Sequence, residues 1–302
     1  MVILSPPTPL YIKYIDPDGI VWDFSDTSMS NGYVCSAISG IEGMPVSMAI
    51  IPLLDGTAIP NLYIPQPGTI NVTILVGMPA NSSNEMDYYN LLDRIPRAFY
   101  NSRNSAPAPG YLQIQRPDGT VRQIAVYATS GFNTPEVGIN DITVYTFTFE
   151  TPDPYWYDSN VQSIIYQQNI SSGILPLLPI QFSAGTVFGS NTIINLGSAT
   201  TYPTWTITGP GTPTMTNLTT NLKWSLNNPI PAGNVAQVVC KPGSQMAVNT
   251  TTGQSIWDTL VYSSLRQLWG LVPGPNLINI SMAGSTPATQ VRLDWSNRWS
   301  RA

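Results

Sequence analysis

Residues 149–160 of the chain read FETPDPYWYDSN, and this stretch decides how the sequence is divided. It ends an alternating strand pattern, adds two prolines and then three consecutive aromatic residues before strand-like sequence resumes. Because the residue before a proline is restricted to extended conformations, the Asp153-Pro154 step predicts a stiff connection. We therefore predict a rigid junction whose aromatic residues are buried between two domains. The predicted junction residues are Asp153, Pro154, Tyr155, Trp156 and Tyr157.

The length and composition support this division. A chain of 302 residues exceeds the usual size of one domain, and two bodies of about 150 residues are the natural expectation. We predict a first domain over residues 1–152, the junction over 153–160 and a second domain over 161–302. With 28 prolines and 23 glycines, long helices are excluded over most of the chain, so the sequence predicts a mainly β fold.

The chain is poor in charge. Hydrophobic residues make up 42% of it, enough for proper cores, whereas charged residues make up only 10%, against roughly 25% in typical globular proteins. The surface must therefore consist largely of neutral polar residues. The net charge is −5 and the 12 basic residues are scattered. No cluster supplies the positive patch that nucleic-acid binding needs, which argues against specific DNA or RNA binding.

The first domain is predicted to combine strands with one helix. Two Pro-Asp-Gly turns, at residues 17–19 and 117–119, separate alternating runs and predict β-hairpins. Residues 82–100 predict the helix, because Ser82 and Glu85 form a capping-box pattern and apolar residues then recur on one face. Pro96 is expected to kink or restart this helix. These features predict a β-sandwich or split barrel with one helix.

A proline-rich segment lies between the strands of this domain. Prolines at positions 52, 60, 65 and 67 make residues 50–69 a poor central strand. We predict a long projecting loop or an irregular hairpin, and long loops in compact domains usually carry a function.

The second domain is predicted to be a β-sandwich. Short strand-like runs follow one another, separated by Gly, Pro and Asn clusters, and no helix of length is evident. Two stacked antiparallel sheets fit this pattern. The expected core or groove aromatics are Trp205, Trp224, Trp257 and Trp295.

Catalytic chemistry finds little support in the sequence. There is no histidine, which excludes Ser-His-Asp and Cys-His arrangements, and neither Cys35 nor Cys240 belongs to a CxxC pair. No glycine-rich phosphate-binding motif is present. Asp16, Asp18 and Asp118 are better explained by turn geometry than by catalysis or calcium binding. We predict no catalytic residue, no metal site and no cofactor.

Two binding or catalytic alternatives stay open. Exposed tryptophan and tyrosine side chains on a sandwich can stack on sugar rings, so a carbohydrate-binding module that contacts host-surface glycans is the alternative function. A glycosidase based on paired carboxylates ranks far lower.

Several segments together resemble a known family. They are ISGIEGMPV (38–46) with its proline-rich loop, the helix leading to YLQIQRPDGTVRQIAVYA (111–128), and LWGLVPGPNLINISMAG (268–284). With the junction, their order is similar to the distal tail proteins of long, non-contractile-tailed (siphovirus-type) bacteriophages, including the minor tail proteins of actinophages. The junction residues Asp153, Pro154 and Trp156 match that family's Asp-Pro-x-Trp pattern. A late Leu-x-Pro-Gly-x-Asn turn is matched by Leu271, Pro273, Gly274 and Asn276.

The resemblance implies a fold and a function. It implies a tail-tube-like first domain joined to a galectin-like second domain, and a structural virion protein that forms a hexameric ring at the distal end of the tail. The implied partners are further copies of the chain, the tail tube protein, the tape measure protein and the hub proteins of the tail tip or baseplate. We predict that the proline-rich segment reaches the adjacent subunit through Ile50, Pro52, Leu53, Leu54, Pro60, Tyr63 and Pro65.

The expected location follows from the same resemblance. The protein is expected at the distal end of the virion tail after synthesis in the cytoplasm of the host bacterium. The sequence shows no signal-peptide pattern and no run of membrane-spanning length, so neither an export signal nor an anchor is predicted. Cys35 and Cys240 are predicted to be two buried free thiols and not a disulfide, which is compatible with a reducing cytoplasm.

Overall fold

The computed structural model describes residues 11–52, 58–82, 84–100, 108–132, 142–167, 186–263 and 268–302. The chain divides into two compact units. The first unit comprises the residues up to Ser159 together with Trp299–Ala302, and the second comprises Asn160–Arg298. Residues 299–302, which the sequence assigned to the second domain, therefore lie in the first unit.

The first unit contains the described helix and most of the longer strands. Its elements are β1 (Tyr11–Ile15), β2 (Val21–Asp23), β3 (Tyr33–Ser39), β4 (Val46–Pro52), β5 (Ala58–Pro65), β6 (Gly68–Val76), α1 (Glu85–Tyr100), β7 (Gly110–Gln115), β8 (Val121–Ser130), β9 (Thr143–Thr151), β10 (Trp156–Asp158) and, where the chain returns, β23 (Arg298–Trp299). Strands of the main sheet run in the order β2-β1-β7-β8-β9-β6-β3, and β10 pairs with both β8 and β23.

Both predicted hairpins of this unit form. Strand β1 pairs antiparallel with β2, and β7 pairs antiparallel with β8. Gly19 and Gly119 have φ angles of 85° and 83° at the two turns, a left-handed conformation that glycine adopts without a steric cost. In each turn the glycine amide donates to a carbonyl three residues earlier.

The main sheet curves until its outer strands touch. The Cys35 amide on β3 donates to the carbonyl of Phe24, which directly follows β2, at 3.0 Å. Inside this curve the rings of Trp22 and Tyr33 lie 5.6 Å apart. This curvature is compatible with the split barrel, one of the two predicted alternatives for this unit. Helix α1 packs against this sheet, since the Phe99 ring lies 4.1 Å from that of Phe147 and both belong to one core.

Helix α1 is present as predicted, but its start differs. The side-chain oxygen of Asn84 accepts the Met86 amide at 3.1 Å, so Asn84 caps the helix. The predicted capping box of Ser82 and Glu85 is wrong, since Ser82 lies two residues ahead of the cap and its hydroxyl bonds to Asp87 instead. The helix also continues through Pro96 to Tyr100, so it does not restart there.

The second unit is built from strands that are mostly short, the longest of them having ten residues. They are β11 (Gln162–Gln167), β12 (Thr186–Val187), β13 (Gly189–Asn195), β14 (Thr204–Thr208), β15 (Thr212–Asn217), β16 (Leu222–Leu226), β17 (Val235–Val239), β18 (Met246–Asn249), β19 (Gln254–Ser255), β20 (Leu260–Tyr262), β21 (Gly274–Ala283) and β22 (Gln290–Trp295). One sheet has the order β12-β11-β22-β14-β17-β18-β19 and the other β13-β21-β15-β16-β20.

The two sheets of the second unit face each other across one core. Trp205 on β14 and Trp224 on β16 come from different sheets, and their rings meet edge to face with centroids 6.0 Å apart. Trp269 joins them at 5.4 Å from Trp205, and its indole N–H donates to the Met215 carbonyl. The mainly β fold class, with a helix in the first unit and a sandwich in the second, is confirmed.

Most predicted strand-like runs of this unit coincide with described strands. The run LPIQF (178–182) lies outside the described residues. Strand β15 was not predicted, because its sequence TPTMTN lacks an apolar alternation, although Pro213, Met215 and Asn217 face the core. No helix in the described part of the chain is long and apolar enough to cross a membrane.

Candidate assembly interface

Strands β4 and β5 form a two-stranded antiparallel hairpin, which we call the arm. Among the described strands, these two pair only with each other. Their register shifts between Ala49 and Ile50, which marks a bulge or irregularity. Of the two predicted alternatives for residues 50–69, the structure thus shows the irregular hairpin. The many prolines are compatible with it, because a two-stranded ladder leaves half of the backbone amides without a required partner.

The arm gathers most of the predicted interface residues. It contains Ile50 and Pro52 in β4, and Pro60, Tyr63 and Pro65 in β5. Leu53 and Leu54 lie outside the described residues. The part these residues play between subunits stays a prediction.

The arm is uncharged along both strands. Residues 46–54 and 58–65 contain no Asp, Glu, Lys or Arg. At its base, Val46 and Ile64 are 51% and 40% exposed, and the Gln66 side chain bonds to Ser47 at 2.9 Å. An isolated two-stranded hairpin is marginally stable in water unless it packs against a further surface. The arm therefore has the properties of a segment that is completed by a partner.

The apolar face of helix α1 lies inside the first unit. Its apolar stripe, which includes Tyr88, Leu92, Ile95 and Phe99, is buried in the core of the first unit. The stripe is therefore not available to a neighbouring subunit.

The predicted junction residues form a compact local structure. The Asp153 carboxylate accepts the Tyr157 hydroxyl at 2.6 Å and the Tyr155 amide at 3.4 Å. Trp156 is 2% exposed and belongs to the core of the first unit. Strand β10 pairs Tyr157 with Gln123 of β8. The chain around Pro154 is thus fixed to the first unit, while a rigid connection between the units stays a prediction.

The late turn that matched the family pattern is organised by one buried amide. Asn276 is fully buried; its side-chain N–H groups donate to the carbonyls of Val272 (2.7 Å) and Gly274 (3.0 Å), and its oxygen accepts the Val272 amide at 2.9 Å. Gly274 has a φ of 88°, which a residue with a side chain rarely adopts. Leu271 is fully buried and pairs with Thr201. These residues close the turn before β21.

The carboxylates considered for catalysis are engaged in turns. Asp16 is 4% exposed and accepts the Trp22 indole N–H at 3.1 Å and the amides of Asp18 and Ile20. Hydrogen bonds from Thr120 hold the pKa of Asp118 below its usual value. In the part of the chain that the structure describes, no group of three or more His, Cys, Asp or Glu residues could hold a metal ion.

The fold was compared with solved structures. The SPP1 Dit (gp 19.1) protein, described as a paradigm of the hub adsorption apparatus in phages that infect Gram-positive bacteria, matches with a TM-score of 0.62 and 12% identity, over 96% of this chain and 98% of that one. A chain of the phage P2 baseplate in its activated conformation with Ca matches with a TM-score of 0.53 and 10% identity, over 97% and 99%. This chain has the Dit fold.

The Dit fold extends over both units of the chain, since either comparison covers nearly all of it. The resemblance to phage distal tail proteins that the sequence predicted is thereby confirmed at the level of the fold. Neither the protein-family models nor the curated proteins give a match.

Sequence reasoning missed one cluster within this Dit fold. Arg122 lies on β8 in phase with the buried Ile124 and Val126, and it is itself only 3% exposed. A signal was present, because a charged residue on the apolar face of an alternating strand requires a partner. That partner, Trp299, is 177 residues away in sequence (299 minus 122) and could not be paired with it from the pattern alone.

Proposed function

We propose that this chain is a non-enzymatic structural protein of a phage tail tip. It forms a hexameric ring at the distal end of a long, non-contractile tail and connects the tail tube to the hub of the tip or baseplate. The observation that carries the proposal is the match to SPP1 Dit over 96% of this chain and 98% of that one, because it includes both units and not a single common β-domain.

The arm supports assembly into a ring. A closed ring of identical subunits requires two different surfaces on each copy, one that reaches out and one that receives. The arm, with its uncharged strands and its exposed Val46 and Ile64, is the reaching surface. Interfaces are depleted in Lys, Glu and Asp at their centres, which fits both the arm and the low charge of the chain.

The proposal includes partners and a location. Further copies of the chain, the tail tube protein, the tape measure protein and the tip hub proteins are the partners in a finished tail, at the distal end of the virion. The absence of histidine from the sequence and the use of Asp16 and Asp118 in turns support a role that depends on geometry and not on catalysis.

The oligomeric state of the purified chain tests the proposal. We expect mass photometry to show a species of six copies and negative-stain images to show rings with sixfold symmetry. Val46→Lys, which places a charge at the base of the arm, should reduce this species. Val21→Lys is the matched control, because Val21 is 55% exposed and lies on β2 outside the arm. A chain that stays monomeric at every concentration would overturn the proposal.

A sugar-binding role has one residue in its favour. Of the four tryptophans expected in the core or a groove of the second unit, Trp205, Trp224 and Trp295 are buried, whereas Trp257 is 37% exposed. An exposed tryptophan can stack on the apolar face of a sugar ring. Reproducible binding on a glycan array that Trp257→Ala abolishes would favour this alternative, and binding that survives the change would exclude Trp257 as the sugar site.

A further inference from the structure

The first unit contains a short segment from the far end of the sequence. Residues Trp299–Ala302, which we call the return segment, belong to this unit although the 139 residues of Asn160–Arg298 (160 to 298 inclusive) form another. Trp299 and Ala302 pack against the core of the first unit. The Ala302 amide donates to the Ile41 carbonyl at 3.1 Å. The second unit is therefore connected to the first at two points, after Ser159 and before Trp299.

A cluster of three side chains fixes the return segment. The Trp299 indole N–H donates to the Asp158 carboxylate at 2.7 Å. The guanidinium carbon of Arg122 lies 3.7 Å from the centre of the Trp299 ring, a distance at which a cation and an aromatic face attract each other. Arg122 also donates to the Arg301 carbonyl at 3.0 Å. We call Arg122, Asp158 and Trp299 the clasp.

The clasp joins both ends of the second unit. Asp158 is the last residue of β10, which leads to Ser159, and Trp299 is the first residue after the second unit. Asp158 is also the register partner of Arg122 across β10 and β8. Each member therefore contacts the other two. Arg122 and Asp158 are paired in the β-ladder, Asp158 and Trp299 share the indole hydrogen bond, and Arg122 lies over the Trp299 ring. The exit point and the return point of the chain are held at one place on the first unit.

Burial makes the clasp stronger than a surface contact. Arg122 is 3% exposed, and burial lowers its pKa from 12.5 to about 10, with the neighbouring Arg116 acting in the same direction. The guanidinium stays protonated at neutral pH, because this value lies well above 7. Leaving a buried cation without its partners costs free energy. Release of the return segment would remove the Trp299 ring and the Arg301 carbonyl from Arg122, so the segment is stabilised in its place.

We propose that the clasp holds the returning end of the chain on the first unit, so that the second unit stays attached at both of its ends instead of at one. The inference concerns the single chain and does not depend on ring formation. If the purified protein proves monomeric, the clasp can still be tested in it.

Hydrogen–deuterium exchange of the full-length chain tests the clasp. In the unaltered protein we expect the amides of the return segment and of β10 to be protected. Trp299→Ala and Arg122→Ala should speed exchange in these two segments by roughly tenfold or more, while β14 in the second unit keeps its protection. Arg292→Ala is the matched control, because Arg292 pairs with Asp294 on the half-exposed surface of β22. It should leave the return segment unchanged.

Graded variants keep the test decisive if Arg122→Ala unfolds the first unit. Trp299→Phe retains an aromatic face and loses the indole donor, so its exchange should lie between that of the unaltered protein and Trp299→Ala. Asp158→Asn retains an oxygen acceptor and should have the smallest effect. Trypsin should also remove the return segment of Trp299→Ala at Arg298 while the second unit stays intact. Two results would overturn the proposal. One is a lack of protection of the return-segment amides in the unaltered protein. The other is protection in Trp299→Ala and Arg122→Ala that equals that of the unaltered protein.

Discussion

Three buried asparagines hold the loops of the second unit. Asn195, Asn217 and Asn276 are at most 1% exposed, and each side chain donates to and accepts from backbone groups of nearby turns or of segments distant in sequence. An amide suits this position because it offers both donors and an acceptor, so it can satisfy carbonyls and amides that no strand partner reaches. Because most strands of this unit are short, many backbone groups lie outside the β-ladders. The asparagine side chains supply hydrogen bonds to some of these groups.

Asn276→Ala should destabilise the second unit. The change leaves two partly buried carbonyls and one partly buried amide without their partner, and we expect a loss of roughly 3 kcal/mol in the free energy of unfolding. Urea unfolding followed by tryptophan fluorescence measures it. Ser281→Ala, at an exposed position of the same strand, is the control and should cost less than about 0.5 kcal/mol. Equal costs for the two variants would contradict the role given to Asn276.

The two cysteines should differ in reactivity. Burial raises the pKa of both thiols, but Cys240 is fully buried whereas Cys35 is half-buried and can be reached by a reagent. A raised thiol pKa lowers the fraction of reactive thiolate at any given pH below it. At about pH 8 we expect iodoacetamide to label Cys35 slowly and to leave Cys240 unlabelled, as read by peptide mass spectrometry. Both should react in denaturant, and native labelling of Cys240 would show that its site opens.

Helix α1 contains a proline, and a side chain from a neighbouring strand replaces the hydrogen bond that this proline cannot make. Pro96 has no N–H, so it cannot donate to the Leu92 carbonyl one turn earlier. The Tyr145 hydroxyl from β9 donates to that carbonyl instead, at 3.3 Å. Burial raises the pKa of Tyr145, with Tyr88 and Asp93 adding to it, so the phenol keeps its proton at neutral pH. The strand thus supplies the hydrogen bond that the proline removes, and the helix can continue to Tyr100.

A double-mutant cycle on this pair tests the compensation. Tyr145→Phe should cost about 1 kcal/mol of stability, since it leaves a buried carbonyl unsatisfied. In the Pro96→Ala background the helix can supply its own amide, so the same change should cost clearly less. Urea unfolding of the two single variants and the double variant gives the coupling energy. A cost of Tyr145→Phe that is the same in both backgrounds would mean that the hydroxyl does not replace the missing amide.

The sequence predicts those elements whose cause is local. The two Pro-Asp-Gly turns and the alternating strand β9 follow from a few adjacent residues, and the structure shows them. The helix was predicted but its cap was not, because Ser82 and Asn84 are both good caps and only the backbone decides between them. Strand β15 could not be predicted, since its buried face carries Pro213, Met215 and Asn217 instead of an apolar alternation.

At the scale of the whole molecule, what the sequence could not show is long-range. The junction residues were found because prolines and aromatics stand out in a row, and Trp156 does lie in a core. The clasp joins residues from three distant places, and only the folded topology brings them together. The fold as a whole was recognised from the order of several weak motifs, which the match to SPP1 Dit supports at 12% identity.

The low charge of the whole chain leads to a last prediction, about the assembly proposed above. Raising the NaCl concentration from about 0.1 M to about 1 M shortens the screening length from about 10 Å to about 3 Å and weakens interactions between exposed charges. The strands of the arm carry no charge, so an interface built on them has no ion pairs that salt could weaken. Association of apolar surfaces is not weakened by screening. We therefore expect mass photometry to find the same or a larger fraction of hexamers at high salt. Dissociation into monomers as salt rises would show that ion pairs hold the subunits together, and the arm would then not be the main contact between them.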